Sequence, residues 1–376
     1  MLMLPEKIKK QLETPCIVAD MQQVVSNIMK LQNIANECNC CLRPHIKTHK
    51  SVEIARIQIE AGACGITCAK VSEAEVMAEN GIEDIFIAYP LVGEHKLKRA
   101  LLIYNKVKRL ILAVDSIDCA RALSEFAQKE NVIFEVRIEV DTGAKRTGIV
   151  TENLERYAKE IKTLRGIQVT GIYTFKSLVY HNAPTTDNNL AGLEEGQLMA
   201  EIAEKLNLLG FDIKDISAGS TPTGESCART GLVTEIRPGT YVFYDQMTYM
   251  EKACEFNEIA AVVYSTVVSV PNPSYAVVDA GTKTFSCDVR LQESPFYYEG
   301  FAYIPGRKDL ILDRMNEEHG IIRATDREID LKVGDIIPII PVHICTAVNL
   351  QNELYLYSKE NEKLWKTKVD ARGMLV

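Results

Sequence analysis

The feature that most constrains the fold is a repeating texture between about residues 40 and 240. Short apolar or β-branched runs alternate there with longer segments of helical spacing. The strand-type runs are Cys41–Lys47, Gly65–Cys68, Asp84–Tyr89, Arg109–Val114, Val132–Val140, Gln168–Tyr173, Asp212–Ser217 and Thr234–Arg237. Helix-type segments such as Ser72–Asn80, Ser116–Glu130, Glu152–Lys162 and Leu193–Leu208 lie between most of them, with Ser72 and Ser116 as N-caps. Eight strands joined by helical crossovers predict an α/β fold, a (β/α)8 barrel of the TIM type.

After Asp245 helical periodicity nearly disappears. Ile259–Val270, Tyr275–Asp279 and Ile336–Pro341 have strand texture, and Pro271, Pro273, Pro295 and Pro305 punctuate loops. This predicts a second, mostly β C-terminal domain. The expected boundaries are 20–250 for the barrel, and 1–19 with 251–376 for the β domain. The strand-like Cys16–Ala19 would then pair with the C-terminal part.

Composition excludes several function classes. The formal net charge of −8 argues against a bulk nucleic-acid binder, which needs a basic face to displace counterions. It leaves room for a local basic pocket that takes a phosphate. No run approaches the roughly 18 apolar residues of a membrane span. Met1–Lys10 lacks the long apolar stretch of a signal peptide, and Lys7, Lys9 and Lys10 sit in a short amphipathic helix instead. The 11 cysteines have no framework spacing, which points to a reducing cytosol and a cytoplasmic protein. Cys38, Cys40 and Cys41 crowd together, but no second cluster completes a four-ligand zinc site. They read as ordinary thiols.

Barrel enzymes carry their sites at the C-terminal ends of the strands. The first run ends Arg43-Pro44-His45-Ile46-Lys47-Thr48-His49-Lys50. Strand alternation puts Arg43, His45 and Lys47 on one side. An inward ammonium is poorly solvated, and a lysine with a depressed pKa is what Schiff-base chemistry requires. Solvated loop lysines at 47 and 50 would give the same pattern. The seventh run leads into Ser217-Ala218-Gly219-Ser220-Thr221-Pro222-Thr223-Gly224, and the eighth into Arg237-Pro238-Gly239-Thr240-Tyr241. Small residues and hydroxyls expose amides that can cradle a phosphate, and barrels often bind phosphate at these two loops. The fifth ends in Asp141 to Gly148, where Arg146 stands between two glycine turns. In the β domain, His343 and Cys345 are two apart, so on a strand both would face one way. One imidazole and one thiolate suit zinc and leave positions open for water or substrate. A buried histidine beside a buried cysteine would give the same spacing.

Together these segments resemble the D-serine dehydratase and D-threonine aldolase family, fold-type III pyridoxal-phosphate enzymes with an alanine-racemase-type barrel. The resemblance runs from Thr14-Pro15 through Arg43 to Lys50, Ala69 to Glu75, Asp141 to Gly148, Tyr173 to Tyr180, Gly219 to Thr223 and Arg237 to Asp245, and ends at His343-Ile344-Cys345. It implies that Lys47 carries the cofactor as a Schiff base and moves the α-proton, and that Arg146 approaches the cofactor ring. Gly219, Ser220, Thr221, Gly239 and Thr240 would hold the pyridoxal 5'-phosphate. Tyr173, Tyr180 and Tyr241 would line the pocket, and His343 with Cys345 would bind a divalent metal. The aldolase branch tends to carry aspartate where this chain has Cys345, so the thiolate favours zinc and β-elimination. The implied reaction converts a D-3-hydroxy amino acid to a 2-oxo acid and ammonia in a homodimer. A D-threonine aldolase is the alternative. A racemase or a non-catalytic pyridoxal-phosphate carrier fits less well.

One segment departs from the family pattern. Tyr173-Thr174 is followed by Phe175-Lys176, where relatives usually carry histidine or cysteine and then glycine. The expectation is that Lys176 pairs with a substrate carboxylate, as 3-hydroxyaspartate would supply.

Overall fold

The computed structural model describes residues 3–285 and 287–376. The chain divides into two compact units. One comprises Met29–Lys47, Ile54–Gly239 and Met374–Val376, and the other Met1–Ile28, Thr48–Glu53 and Thr240–Gly373.

The first unit is the eight-stranded parallel barrel. Its strands are β1 (Cys41–Leu42), β2 (Ile66–Cys68), β3 (Asp84–Pro90), β4 (Arg109–Val114), β5 (Phe134–Asp141), β6 (Ile167–Tyr173), β7 (Asp215–Ser217) and β8 (Glu235–Ile236). They pair in the order β1-β8-β7-β6-β5-β4-β3-β2, and a parallel bridge between His45 and Thr67 closes the ring. All eight strand-type runs of the sequence fall on these strands. Their β-branched content reflects burial on both faces, against helices outside and side chains within. Ser116 caps Ile117–Glu130 by accepting the Cys119 N–H at 3.3 Å, and Asn131 ends that helix in the left-handed region. Ser72 is not a cap. Its helix, Val71–Glu79, starts one residue earlier, and the Ser72 hydroxyl instead donates to the Val376 carbonyl at 2.8 Å.

The barrel interior is ionic as well as apolar. Glu235 accepts from Arg43 Nε at 2.7 Å and from Arg137 Nη1 and Ser217 Oγ at 2.5 Å each. Arg137 also reaches Asp215 at 2.9 Å. Arg43, Arg137 and Glu235 are almost wholly buried. Burial alone would raise the Glu235 carboxyl, but the two guanidiniums hold it well below the usual carboxylate range. Gly65 is required beside this network, because a Cβ there would lie 2.3 Å from Arg43 Nη1.

The second unit is β-rich. Ala261–Asn272 pairs with both Ile336–Pro341 and Tyr275–Val278. With Gly320–Ala324, Leu310–Met315 and Ala302–Tyr303 these strands close a six-stranded antiparallel ring. Cys16–Asp20 pairs antiparallel with Ala261–Asn272 and parallel with Glu353–Ser358.

Candidate active site

In the barrel unit, β1 is extended by backbone bonds from Arg43 to Ile236 and from His45 to Pro238. The chain then enters a turn over residues 46–49. Lys47 is therefore on a turn, not in strand phase with His45, because the chain leaves the ladder at Ile46 once the bridge to Thr67 is made. Its amine lies 5.7 Å from the centre of the Phe175 ring. The Arg146 guanidinium lies 4.6 Å from the centre of the same ring, so one aromatic ring serves both cations. Lys50 takes another course. It belongs to the second unit, is buried, and its amine donates to the Ala371 carbonyl at 3.4 Å.

Lys176 has a partner within the chain. It is 1% exposed and ion-paired with Glu194, a carboxylate that also accepts the His181 N–H at 3.1 Å. That pairing corrects the expectation from sequence, in which Lys176 was to meet a substrate carboxylate. Phe175, not Lys176, is the departure from the family pattern that lies beside Lys47. Tyr173 is also committed elsewhere. Its ring meets Phe86 edge-on at 5.0 Å and its hydroxyl donates to Glu139 at 2.9 Å. Burial raises both the Tyr173 and the Glu139 groups. Tyr180 opens a short hairpin, Val179–Tyr180 with Ala183–Pro184, and stacks on His181 at 4.0 Å.

The two glycine turns are tied together. Gly219 has φ +87°, and a Cβ there would meet Gly224 Cα at 3.0 Å. Ser220 Oγ lies 3.0 Å from Thr223 Oγ1, which donates to the buried Glu195 at 2.8 Å. The Gly239 amide donates to Thr221 Oγ1 at 3.3 Å, and the Arg237 amide to the Gly219 carbonyl at 3.1 Å. Hydroxyls and amides thus gather at a glycine whose missing side chain keeps the backbone accessible. This donor set fits a phosphate.

In the second unit, His343 and Cys345 are not on a strand. The strand ends at Pro341, His343 is the N-cap of the helix Ile344–Asn349, and Cys345 lies in its first turn. The Cys345 side chain still lies close enough to the His343 imidazole to raise it. Buried Asp245 fixes the turn by accepting the Ile344 N–H at 2.9 Å and the Thr248 N–H at 2.8 Å. Asp288 Oδ2 lies 2.8 Å from His343 Nδ1. Burial would lower the His343 imidazole, but Cys345 and Asp288 outweigh it and push it up to about 11. Cys345 Sγ lies 3.1 Å from Thr48 Oγ1 and 3.4 Å from Thr240 Oγ1. Those two threonines follow Lys47 and Gly239 in the chain. Tyr241 is fully buried in the turn Thr240–Val242. An imidazole beside a thiol, with its Nδ1 bonded to a carboxylate, is a donor set that fits zinc. Among the described residues no group of three or more histidine, cysteine or acidic side chains is arranged to hold a metal, so the pair would need water or substrate to complete the shell.

Sequence reasoning missed Thr48, Asp245, Asp288 and Arg237. Asp245 had a readable signal, an aspartate three residues before Thr248 in capping-box spacing. Asp288 had none, since 55 residues separate it from His343.

Residues 19–246 match the family described as "Alanine racemase, N-terminal domain", and residues 260–357 match the "Putative serine dehydratase domain". The chain belongs to the fold-type III pyridoxal-phosphate family that includes D-serine dehydratase and D-threonine aldolase. Among its relatives is D-threo-3-hydroxyaspartate dehydratase of Delftia sp. (strain HT23), 32% identical over 89% of this chain and 92% of the relative. D-threonine aldolase of Arthrobacter sp. is 29% identical, with 96% and 93% covered. A solved D-threo-3-hydroxyaspartate dehydratase, a cysteine-to-alanine mutant in the metal-free form, superposes with a TM-score of 0.86 at 27% identity, covering 96% of this chain and 98% of that one. No helix among the described residues is long and apolar enough to cross a membrane.

Proposed function

We propose that this chain is a pyridoxal-phosphate- and zinc-dependent lyase that eliminates water from a D-3-hydroxy amino acid, giving a 2-oxo acid and ammonia. The observation that carries the reading is the His343 imidazole lying beside the thiol of Cys345, whose sulfur also touches Thr48, the residue after Lys47. A thiolate ligand selects zinc over harder cations. When bound, pyridoxal phosphate supplies an electron sink for the α-carbanion, and zinc a Lewis acid for the β-oxygen.

The chain's own residues divide the remaining work. Lys47 Nζ serves as the base at the α-carbon. The Phe175 ring lies beside both that amine and the Arg146 guanidinium and would favour their positive charge. Ser220, Thr221 and the Gly239 amide, the last now bonded to Thr221 Oγ1, would hold the phosphate. Asp288 holds the His343 ring so that Nε2 is the nitrogen presented to a metal. The cysteine spacing, which follows no disulfide framework, is the basis for placing the enzyme in the cytoplasm, and family resemblance implies a homodimer, which sedimentation would test.

D-serine, D-threonine and D-3-hydroxyaspartate should be assayed with and without zinc, reading keto acid, ammonia and glycine together. The expected result is keto acid and ammonia in equal amounts, lost on chelation. Glycine plus an aldehyde without keto acid would establish the aldolase reading, which the Arthrobacter relative favours.

A further inference from the structure

Phe175-Lys176, the pair that departs from the family pattern, opens a loop of the barrel unit with few anchors of its own. From Phe175 to Asp187 only Lys176 and Leu178 are buried. The hairpin inside this stretch, Val179–Tyr180 with Ala183–Pro184, joins no other sheet among the described residues. So short a two-stranded hairpin is marginal in water unless something else holds it. A cavity of about 530 Å³, lined in part by His181, Asn182, Glu194 and Leu198, opens beside it, so packing does not hold it on that side. One of the two anchors is a lysine, and a buried ammonium is costly without a paired charge.

Glu194, in the second turn of the helix Asn188–Leu208, supplies that charge. Its carboxylate is ion-paired with Lys176 and accepts the His181 N–H at 3.1 Å, and its Oε1 lies 2.8 Å from His181 Nδ1. His181 and Asn182 both have positive φ, +49° and +61°, as a tight two-residue hairpin turn requires. Glu194 thus grips the segment twice, next to Phe175 and at the hairpin tip. The hairpin in turn backs the loop that carries Arg146, because a Cβ on Gly143 would lie 3.2 Å from both Asn182 Oδ1 and Val179 Cγ1.

We propose that Glu194 is a positioning residue of the lyase site: by meeting the charge of Lys176 it seats residues 175–187 on the barrel and holds the Phe175 ring beside Lys47 and Arg146. The role rests on Lys47 being the cofactor lysine. In Glu194→Gln the His181 N–H keeps an acceptor, but Lys176 is left as an unpaired buried charge. It turns out to water and takes Phe175 with it. In the double variant Lys176→Met/Glu194→Gln the thioether stays buried and the segment seats again. The single variant is therefore worse than the double, an order that a general loss of stability would not give.

Two measurements on the full chain test this. Hydrogen exchange read by mass spectrometry should rise at least about tenfold across residues 175–187 in Glu194→Gln. It should stay unchanged in the helix Ile117–Glu130 and return to the parent rate in the double variant. In protein loaded with pyridoxal phosphate, Phe175→Leu should lower the pH midpoint of the lysine-linked cofactor's visible absorbance by about half a unit, because the ring favours the positive nitrogen. Glu194→Gln should give the same fall, and the double variant should regain the parent midpoint. A midpoint that Glu194→Gln leaves in place, or a double variant that exchanges as fast as the single one, would overturn the positioning role. A parent with no lysine-linked absorbance would refute the cofactor reading instead, and exchange alone would then decide whether Glu194 seats the segment. If Glu194→Gln does not fold, a folded double variant with the parent midpoint supports the role, and an unfolded one overturns it.

Discussion

Replacing Asp288 with alanine should weaken zinc binding about tenfold while leaving the cofactor lysine intact. In the structure Asp288 Oδ2 takes the His343 Nδ1 side at 2.8 Å, which fixes the ring and leaves Nε2 for a metal. Removing such a carboxylate from a metal-ligating histidine costs roughly 10–100-fold in affinity. The Asp288 side chain is 46% exposed, so water can replace part of the bond. The Thr346 hydroxyl at 3.4 Å from Oδ1 adds little support. Both facts put the loss at the low end, about tenfold or about 1.4 kcal/mol. The assay is a titration of metal-stripped protein with zinc against a chromophoric chelator at fixed pH. His343→Ala serves as the reference for a lost ligand. An Asp288→Ala protein that binds zinc as tightly as the parent, while His343→Ala does not bind, would refute the orienting role. A loss above a hundredfold would refute it differently, by making Asp288 a ligand itself.

Three further outcomes are expected. Lys47→Ala should abolish the visible absorbance of the lysine-linked cofactor and all turnover, whereas Lys50→Ala, whose amine meets the Ala371 carbonyl, should keep the absorbance. Glu235→Gln removes the buried carboxylate shared by Arg43 and Arg137. It should cost about 3 kcal/mol, read as a fall in thermal midpoint of roughly 6–12 °C. Because the folded Glu235 is depressed, its stabilisation is present above the unfolded value near about pH 4.3 and is lost as pH falls towards the folded one. Urea midpoints of parent and variant should therefore differ at pH 7 and converge in acid. Lys176→Met should destabilise by roughly 2 kcal/mol, because Glu194 loses its buried partner. It should leave the ratio of kcat/KM for hydroxyaspartate and serine within about twofold, and a larger change would restore Lys176 to the substrate pocket.

The barrel was legible because its strands are buried on both faces and so carry dense β-branched runs, which turn-rich segments interrupt. The candidate site was read as a set of strand ends, and in the barrel unit Lys47, Arg146, Gly219 and Gly239 do follow strands of the ring. What sequence could not reveal depends on pairings across long separations. Lys176 and Glu194 are 18 residues apart, and Arg43 and Glu235 are 192 apart. A lysine three residues past a tyrosine has the same texture whether it faces solvent, substrate or a buried carboxylate. His343 and Cys345 came together for a different reason from the one their spacing suggested. A strand puts i and i+2 on one face, but here a helix start does so, and Asp245 sets that start from 98 residues upstream of His343 by capping the backbone between them.

Arg237 shows why a polar barrel interior suits this chemistry. Its guanidinium donates to Ser217 Oγ and to the Thr174 carbonyl, each at 2.5 Å, while its amide meets the Gly219 carbonyl. Ser217 in turn donates to Glu235, which binds Arg43 and Arg137. One buried residue thus joins the phosphate-type turn after β7, the segment that carries Phe175 after β6, and the ionic network deeper in the barrel. An apolar interior would pack as well, but it could not fix three backbone segments at once, because dispersion has no direction. Hydrogen bonds from a rigid, planar guanidinium do. Burial still lowers the Arg237 guanidinium, so its two acceptors repay only part of the desolvation cost. What that cost secures is a fixed floor beneath the segment that carries Phe175 and the turn that begins at Gly219.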